Sequence, residues 1–559
     1  MLQQSRAGPG TRWQTACIYQ IYPASFKDSN GDGFGDLPGI ISKIDHLESL
    51  GVNAFWLSPC DESPNVDGGY DISNYRKIDR RYGTVADIEL LIRSLDEVNI
   101  WLILDLVVNH TSDQHEWFRE SRSSKTNAKR NWYIWRKGKS ITIGNECENP
   151  EVRQAVYADM RFWLEKGIAG FRMDVINMLA KHPDLPNAPP RVHDYLQEMR
   201  KDVLDHYPET MTVGELLYTT RDEVKLYVEP NRRELDLAFE FDLCAWNFGP
   251  GGRFDKGRDT VQALKRTICR TWNGLRSGET AWQTFFLESH DTARSVTRFG
   301  DDKPEHSAAI AKMLAVLSTT LYGTLFVYQG QEIGMENHTA DPIESFDDIN
   351  TINAMRKIER SRHECSQPGE TIDMSDVHEQ VRLQARDHTR SPIPWKYGEP
   401  HAGFSTTVGP LWKRMNSNTD RIDMASQTSA SNSVLSFWRD MIEFRRLFAK
   451  NIVFGAFDVI DDTSSEGPIF AYIQSGMSHK RPLKVDILVV LNLTAEDHVP
   501  FALPNLEGAK LARLIDTRWE GGFIADASDV NGELVHLGPY QALVFFIVKE
   551  TAASLPIDP

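Results

Sequence analysis

Short runs of β-branched, aromatic and aliphatic residues alternate with segments whose apolar positions recur at helical spacing, the signature of a parallel sheet built from βα units. Residues 18–22 predict a strand that leads through a polar loop into a helix with Pro38 in its first turn, apolar positions Ile40, Ile44 and Leu47, and Gly51 at its stop. Strand Ala54–Leu57 follows, then a helix over 85–98 and a nearly continuous apolar run over 101–108 of the kind buried on both faces. Asn149 is placed to cap a helix with Pro150 at its first position, Val152, Val156, Met160 and Trp163 on its face, and Gly167 at its end. Residues 168–175 read as the next strand, and 211–213, 238–241, 284–287 and 324–328 bring the count to eight.

Eight such units predict an α/β fold, a (β/α)8 TIM barrel with insertions whose reactive groups sit at the C-terminal ends of the strands. A doubly wound open sheet is the structural rival. From about Phe454 the pattern turns to alternating strands such as 485–492 and 543–548, which predicts a C-terminal antiparallel β-sandwich. The expected organisation is barrel over 1–108, a shortened insertion after the third strand over 109–148, the rest of the barrel over 149–452, and the all-β domain over 453–559. Residues 360–398 are polar and read as an irregular barrel insertion.

Composition narrows the function. The 559 residues carry a net charge of −17, which argues against a phosphate-backbone or anionic-membrane binder, since those recruit Lys and Arg. The longest apolar candidate, residues 100–108, is interrupted by Asp105 and is too short to span a membrane. The polar start offers no apolar run for a signal peptide, and the six scattered cysteines form no CxxC pair, so a cytoplasmic location with reduced thiols is expected. A small neutral substrate fits this balance better, with no nucleic-acid or membrane partner, and a monomer is expected.

Four polar clusters fall at the ends of predicted strands: DLVVNH at 105–110, GFRMDV at 170–175, VGEL at 213–216 and LESHD at 287–291. A single carboxylate at a strand end is more often a helix cap or a loop ion pair; four strands of one barrel aiming polar groups at one mouth point to chemistry. Hydrolysis of a glycosidic bond with retention needs a carboxylate nucleophile and a second carboxyl that first donates and then takes a proton, about 5 Å apart. Asp174 and Glu215 suit those roles. Arg172, two residues before Asp174 on the same side of the strand, would hold it ionised, and apolar neighbours of Glu215 would keep that residue a proton donor. Asp291 supplies a third carboxylate for the oxocarbenium-like transition state, and His110 and His290 hydrogen-bond sugar hydroxyls. The dispersal over four strands, the lack of HExxH and the presence of Arg disfavour a catalytic metal, so no cofactor is expected for catalysis.

The sequence resembles the α-amylase superfamily of retaining glycoside hydrolases, specifically its α-glucosidase and oligo-1,6-glucosidase branch. The resemblance is carried by QIYPASFKDSNGDGFGDLPGI at 20–40, GYDISNY at 69–75, DLVVNH, GFRMDVIN, the Glu215 segment, ESHDTARSVTRFG at 288–300, YQGQEIGM at 328–335 and ARDHTRSP at 385–392, and it covers nearly the whole chain in order. It implies Asp174 as nucleophile, Glu215 as acid/base and Asp291 as third carboxylate. Asp71, His110, Arg172, His290 and Arg390 would line the terminal glucose subsite with Tyr70 as stacking platform. An Asp71–Arg390 pair would grip the non-reducing sugar and favour exo-cleavage of maltose, isomaltose or short oligosaccharides. Val175, following the nucleophile, resembles enzymes that accept α-1,6 linkages.

Asp28, Asn30, Asp32, Phe34 and Asp36 lie in DxNxDGxGD, hard-oxygen positions that resemble the first half of an EF-hand loop, with Gly39 where the bidentate Glu would stand. Taken alone the motif is equally an Asx-turn-rich loop; relatives bind Ca²⁺ here, so a structural Ca²⁺ is expected. The chain departs from its relatives in lacking much of the excursion that ends just before Asn149, in ESHD for ENHD, and in PIPW for PMQW. Loss of a pocket wall would widen the cleft and admit water. Two rival readings follow: a catalytically impaired carbohydrate-binding relative, and a transglucosylase or sucrose isomerase using the same covalent intermediate.

Overall fold

The computed structural model describes residues 12–135, 147–180, 191–257, 260–273, 282, 284–301, 303–338, 341–367, 369–460, 467–476, 485–506, 508–518 and 529–549. The chain divides into two compact units, residues 1–241 with 279–284 and 404–414, and residues 242–278 with 285–403 and 415–559.

Besides a small antiparallel pair, Asp61–Glu62 with Asn74–Ile78, the first unit holds six parallel strands, each paired with the next in chain order: β1 (Cys17–Ile21), β2 (Ala54–Leu57), β3 (Trp101–Leu106), β4 (Gly170–Met173), β5 (Met211–Gly214) and β6 (Leu237–Ala238). Their side chains are almost wholly buried, as the apolar runs predict. The helix expected around Pro38 is two shorter ones, Leu37–Ile41 and Ile44–Leu50, and Gly51 ends the second at φ 82°, a left-handed conformation that suits glycine. Helix Val85–Glu97 opens on a capping box made by Thr84 and Asp87. Asn149 caps helix Pro150–Leu164 as expected, its side chain accepting from the Glu151 N–H at 2.9 Å.

Register places the chemistry. Asp105 on β3 pairs with Arg172 on β4, and Arg172 with Val213 on β5. Met173 pairs with Gly214, so the next residues, Asp174 and Glu215, leave adjacent strands at one level. Gly170 permits this: a Cβ there would collide with the Met211 carbonyl oxygen across the strand pair.

In the chain order of strands, β7 (Thr284–Phe285) lies where the division between units falls, and β8 (Thr324–Tyr328), in the second unit, matches its expected span. Residues 360–398 correct the sequence reading. They are not irregular throughout, because helix Ile349–Cys365 runs into the segment and helix Ser375–Gln384 lies inside it. The second helix buries Val377 and Val381, four residues apart, with Ala385 against Phe254 and Phe346; so small an apolar face among charges hid the period.

After helix Val434–Leu447 come β9 (Ala456–Val459), β10 (Ile469–Ser475), β11 (Val485–Asn492), β12 (Val499–Ala502), β13 (Ala509–Asp516), β14 (Leu534–Leu537) and β15 (Ala542–Lys549). Five form an antiparallel sheet in the order β9-β10-β11-β15-β13, and β12 pairs with β14. Inward residues of both sheets, among them Leu488, Val490, Leu511, Leu537 and Phe545, share one core, the layered arrangement expected for this domain. None of the six cysteines, all of them among the described residues, is in a disulfide. Among the described residues no helix is long and apolar enough to cross a membrane.

Candidate active site

In the first unit, Arg172 binds three carboxylates. Its Nη1 lies 2.8 Å from Asp105 Oδ1 and 2.7 Å from Asp174 Oδ1, and its Nη2 lies 2.8 Å from Glu215 Oε2. Its side chain is 3% exposed, those of Asp105, Asp174 and Glu215 0%, 9% and 8%, so the four charges are screened by each other rather than by water. Burial works against the Arg172 charge, but Glu215, Asp105, Tyr70 and Asp174 together hold it protonated well beyond its ordinary range. Burial pushes the Asp174 carboxyl up to about 6 against the opposing pull of Arg172, and Asp105 likewise to about 6.

Second partners fix the orientations. Asp105 Oδ2 accepts from Trp56 Nε1 at 2.8 Å and from the Tyr70 hydroxyl at 3.3 Å. Val175 follows Asp174 at φ 35°, a left-handed conformation rare for a β-branched residue, and its N–H donates to Glu215 Oε2 at 3.1 Å. That turn therefore ties the end of β4 to the carboxyl on the end of β5. His110 Nε2 lies 3.1 Å from the Tyr70 carbonyl, and Tyr70 itself packs with Ile72, Tyr75 and Val107 in a buried cluster.

In the second unit, Asp291 Oδ1 accepts from Arg386 Nη1 at 2.8 Å and Arg390 Nη2 at 3.1 Å. His290 is buried and its Nε2 lies 3.5 Å from Asp291 Oδ2. Burial opposes ionisation of Asp291, yet His290, Arg386, Arg390 and Arg253 outweigh it and hold the carboxyl well below its usual range.

Asp71 and Arg390, which the sequence suggested as a pair, each have partners of their own. Asp71 accepts from Ser63 Oγ, the Val66 N–H and the Asp67 N–H at 2.9 to 3.1 Å, while Arg390 holds Asp291 and Asp348. Asp28, Asn30 and Asp32 turn side-chain oxygens to the N–H groups of Gly31, Asp32 and Phe34 at 2.7 to 2.9 Å, and Asp36 caps the next helix through Gly39. Hard oxygens at alternate positions suit Ca²⁺ in kind, but among the described residues no group of three or more His, Cys, Asp or Glu side chains is set to hold a metal. Trp56, Asp105, Asp348 and Arg386 were given no role from sequence. For Asp105 the signal was present, a lone charge inside an apolar strand, and Arg386 lies in the ARDHTRSP motif; Asp348 carries no signal of its own.

The strand and helix order, the two-sheet C-terminal domain and carboxylates held at strand ends define a (β/α)8 glycoside hydrolase. The α-amylase catalytic-domain family matches residues 20–147 and 144–452. The oligo-1,6-glucosidase of Parageobacillus thermoglucosidasius is 37% identical over 96% of this chain and 99% of that protein. The α-glucosidase of Candida albicans is 36% identical over 87% and 92%. Among solved structures, the trehalulose synthase MutB superposes with a TM-score of 0.85 at 33% identity, over 96% of this chain and all of that one. The isomaltulose synthase SmuA from Protaminobacter rubrum does so with a TM-score of 0.85 at 32%. The chain belongs to the α-amylase family, on the branch of oligo-1,6-glucosidases and α-glucosidases.

Proposed function

We propose that the protein is a retaining, exo-acting α-glucosidase that removes terminal α-1,4- and α-1,6-linked glucose from maltose, isomaltose and short oligosaccharides. The observation that carries this is the single guanidinium of Arg172 bridging Asp174 and Glu215, so that two carboxyls from neighbouring strands share one cation, an arrangement that suits a retaining pair. In the first step an Asp174 oxygen attacks C1 while Glu215 protonates the glycosidic oxygen, and the leaving sugar departs as an alcohol. In the second, the Glu215 carboxylate takes a proton from water, whose oxygen attacks C1; glucose leaves with its α configuration and Asp174 is regenerated. Asp291, held ionised, is assigned the role of third carboxylate, stabilising the positive charge that develops on the ring. Asp71, His110, His290 and Arg390 are assigned to the sugar hydroxyls, Tyr70 to the ring face, and Val175 to the leaving sugar, where its methyls favour α-1,6 substrates by about 1 to 3 kcal/mol.

Purified protein incubated with maltose, isomaltose and sucrose tests the reading. Release of glucose supports it. The likeness to trehalulose and isomaltulose synthases favours a second reading, in which the same glucosyl intermediate passes to fructose; isomerised sucrose with little free glucose would replace the first reading with that one. No product from any of the three would leave the non-catalytic sugar-binding reading.

We also assign Ca²⁺ to the Asp28–Asp36 loop on donor chemistry alone. A melting temperature higher in Ca²⁺ than in chelator supports it, and an unchanged one returns the segment to a loop held by Asx turns. Six cysteines without a disulfide among them suit a reducing compartment, for which we propose the cytoplasm, and a monomer is expected by size-exclusion with light scattering.

A further inference from the structure

Asp348 forms, with Arg386 and Arg390, a closed ring of charges behind Asp291. Arg386 Nε lies 2.7 Å from Asp348 Oδ1 and Arg390 Nη1 lies 2.9 Å from Asp348 Oδ2. The other ends of both guanidinium groups converge on one oxygen of Asp291, Oδ1, at 2.8 and 3.1 Å. Asp291 Oδ2 is left toward His290, and the Asp291 side chain is 34% exposed while that of Asp348 is 2%. Asp348 is itself anchored, because its Oδ1 caps helix Ile349–Cys365 by accepting from the N–H groups of Asn350 and Thr351 at 3.0 and 3.3 Å. Asp348 is thus enclosed between the two guanidinium groups, while Asp291, with His290 and Arg253 also acting on it, is the more exposed of the two carboxylates.

We infer that Asp348 is a positioning residue that preserves the negative charge of Asp291 by claiming half of each neighbouring guanidinium. The inference rests on the reading of Asp291 as the carboxylate facing the transition-state charge. Without the Asp348 charge, both guanidinium groups lose a shared carboxylate and their positive charge bears more strongly on Asp291. A positively charged transition state then loses its partner, while a neutral bound sugar loses little.

Asp348→Asn is the variant of choice because Asn also caps a helix. With a p-nitrophenyl α-glucoside we expect kcat to fall by about 10-fold or more with KM within about twofold. The inhibition constant of a protonated imino sugar should weaken by a similar factor while that of neutral glucose holds. Arg386→Gln, which removes a positive charge from the same ring, should shift the imino sugar to glucose ratio the opposite way, and it carries the test if Asp348→Asn fails to fold by circular dichroism. An unmoved ratio, equal weakening of both ligands, or the same direction of shift in the two variants overturns the inference. Wild-type turnover checks the glucosidase reading separately: an active wild type with an unmoved ratio in the variants removes the role of Asp348 alone.

Discussion

Arg172 decides the protonation of the first unit's site. One cation shared by three buried carboxylates does not keep them all at ordinary acidity, and burial leaves Asp174 at about 6. A nucleophile must be ionised, so a raised carboxyl pKa means activity present above that value and lost as pH falls through it. We therefore expect kcat/KM for wild-type protein to decline with an acid limb near pH 6. Arg172→Met removes the opposing charge; the limb should move to higher pH and kcat/KM should drop on the order of 100-fold or more. An acid limb unmoved by the substitution would contradict the assignment. Sequence reading found this residue from its spacing to Asp174. It placed Asp105 in the DLVVNH cluster and used it to dismiss a membrane span but assigned it no role of its own, because a charge in an apolar strand shows that something pairs with it without naming the partner. Asp348 and Arg386 were harder still, since their meaning lies in side chains from distant segments meeting.

At the scale of elements, the pairing of β4 with β5 sets Asp174 and Glu215 at one level, and it depends on Gly170. Gly170→Ala should force the strands apart, costing about 1 to 3 kcal/mol in denaturant unfolding and lowering kcat more than KM. Stability and activity both unchanged would show that register there is not held by close approach. Strands buried on both faces were legible almost residue by residue: Ala54–Leu57 and Thr324–Tyr328 match their apolar runs. Helix Asn149 onward was legible too, because Asn and Pro mark its start. The helix Ile349–Cys365 was not, as only Thr351 is fully buried and the apolar face that packs, Ala354, Met355 and Ile358, is narrow and only partly buried among charges.

Across the molecule, the change from helical to alternating pattern near Phe454 falls just before the antiparallel strands that begin at Ala456, but it does not show what fastens them. Within the second unit, the Tyr472 hydroxyl on β10 lies 2.6 Å from Thr320 Oγ1, and Gln474 Nε2 donates to the Thr320 carbonyl at 2.8 Å, at the end of helix Ser307–Thr320. Arg445 donates to the carbonyls of Thr319, Leu321 and Gly323 in the same turn. These are buried polar contacts that no periodicity records. Tyr472→Phe should cost about 1 kcal/mol in a single unfolding transition shared by the whole second unit, whereas a separate transition for the β domain would contradict that fastening.

The central claim is that Asp174 forms a covalent bond to glucose with Glu215 as its acid/base partner. Trapping with a fluorinated α-glucosyl fluoride, followed by peptide mass spectrometry, measures it most directly. The account predicts one added fluoroglucosyl group, on the peptide bearing Asp174, with α-configured glucose as the first product of turnover. An active enzyme labelled at another residue, or releasing β-configured glucose, would contradict it.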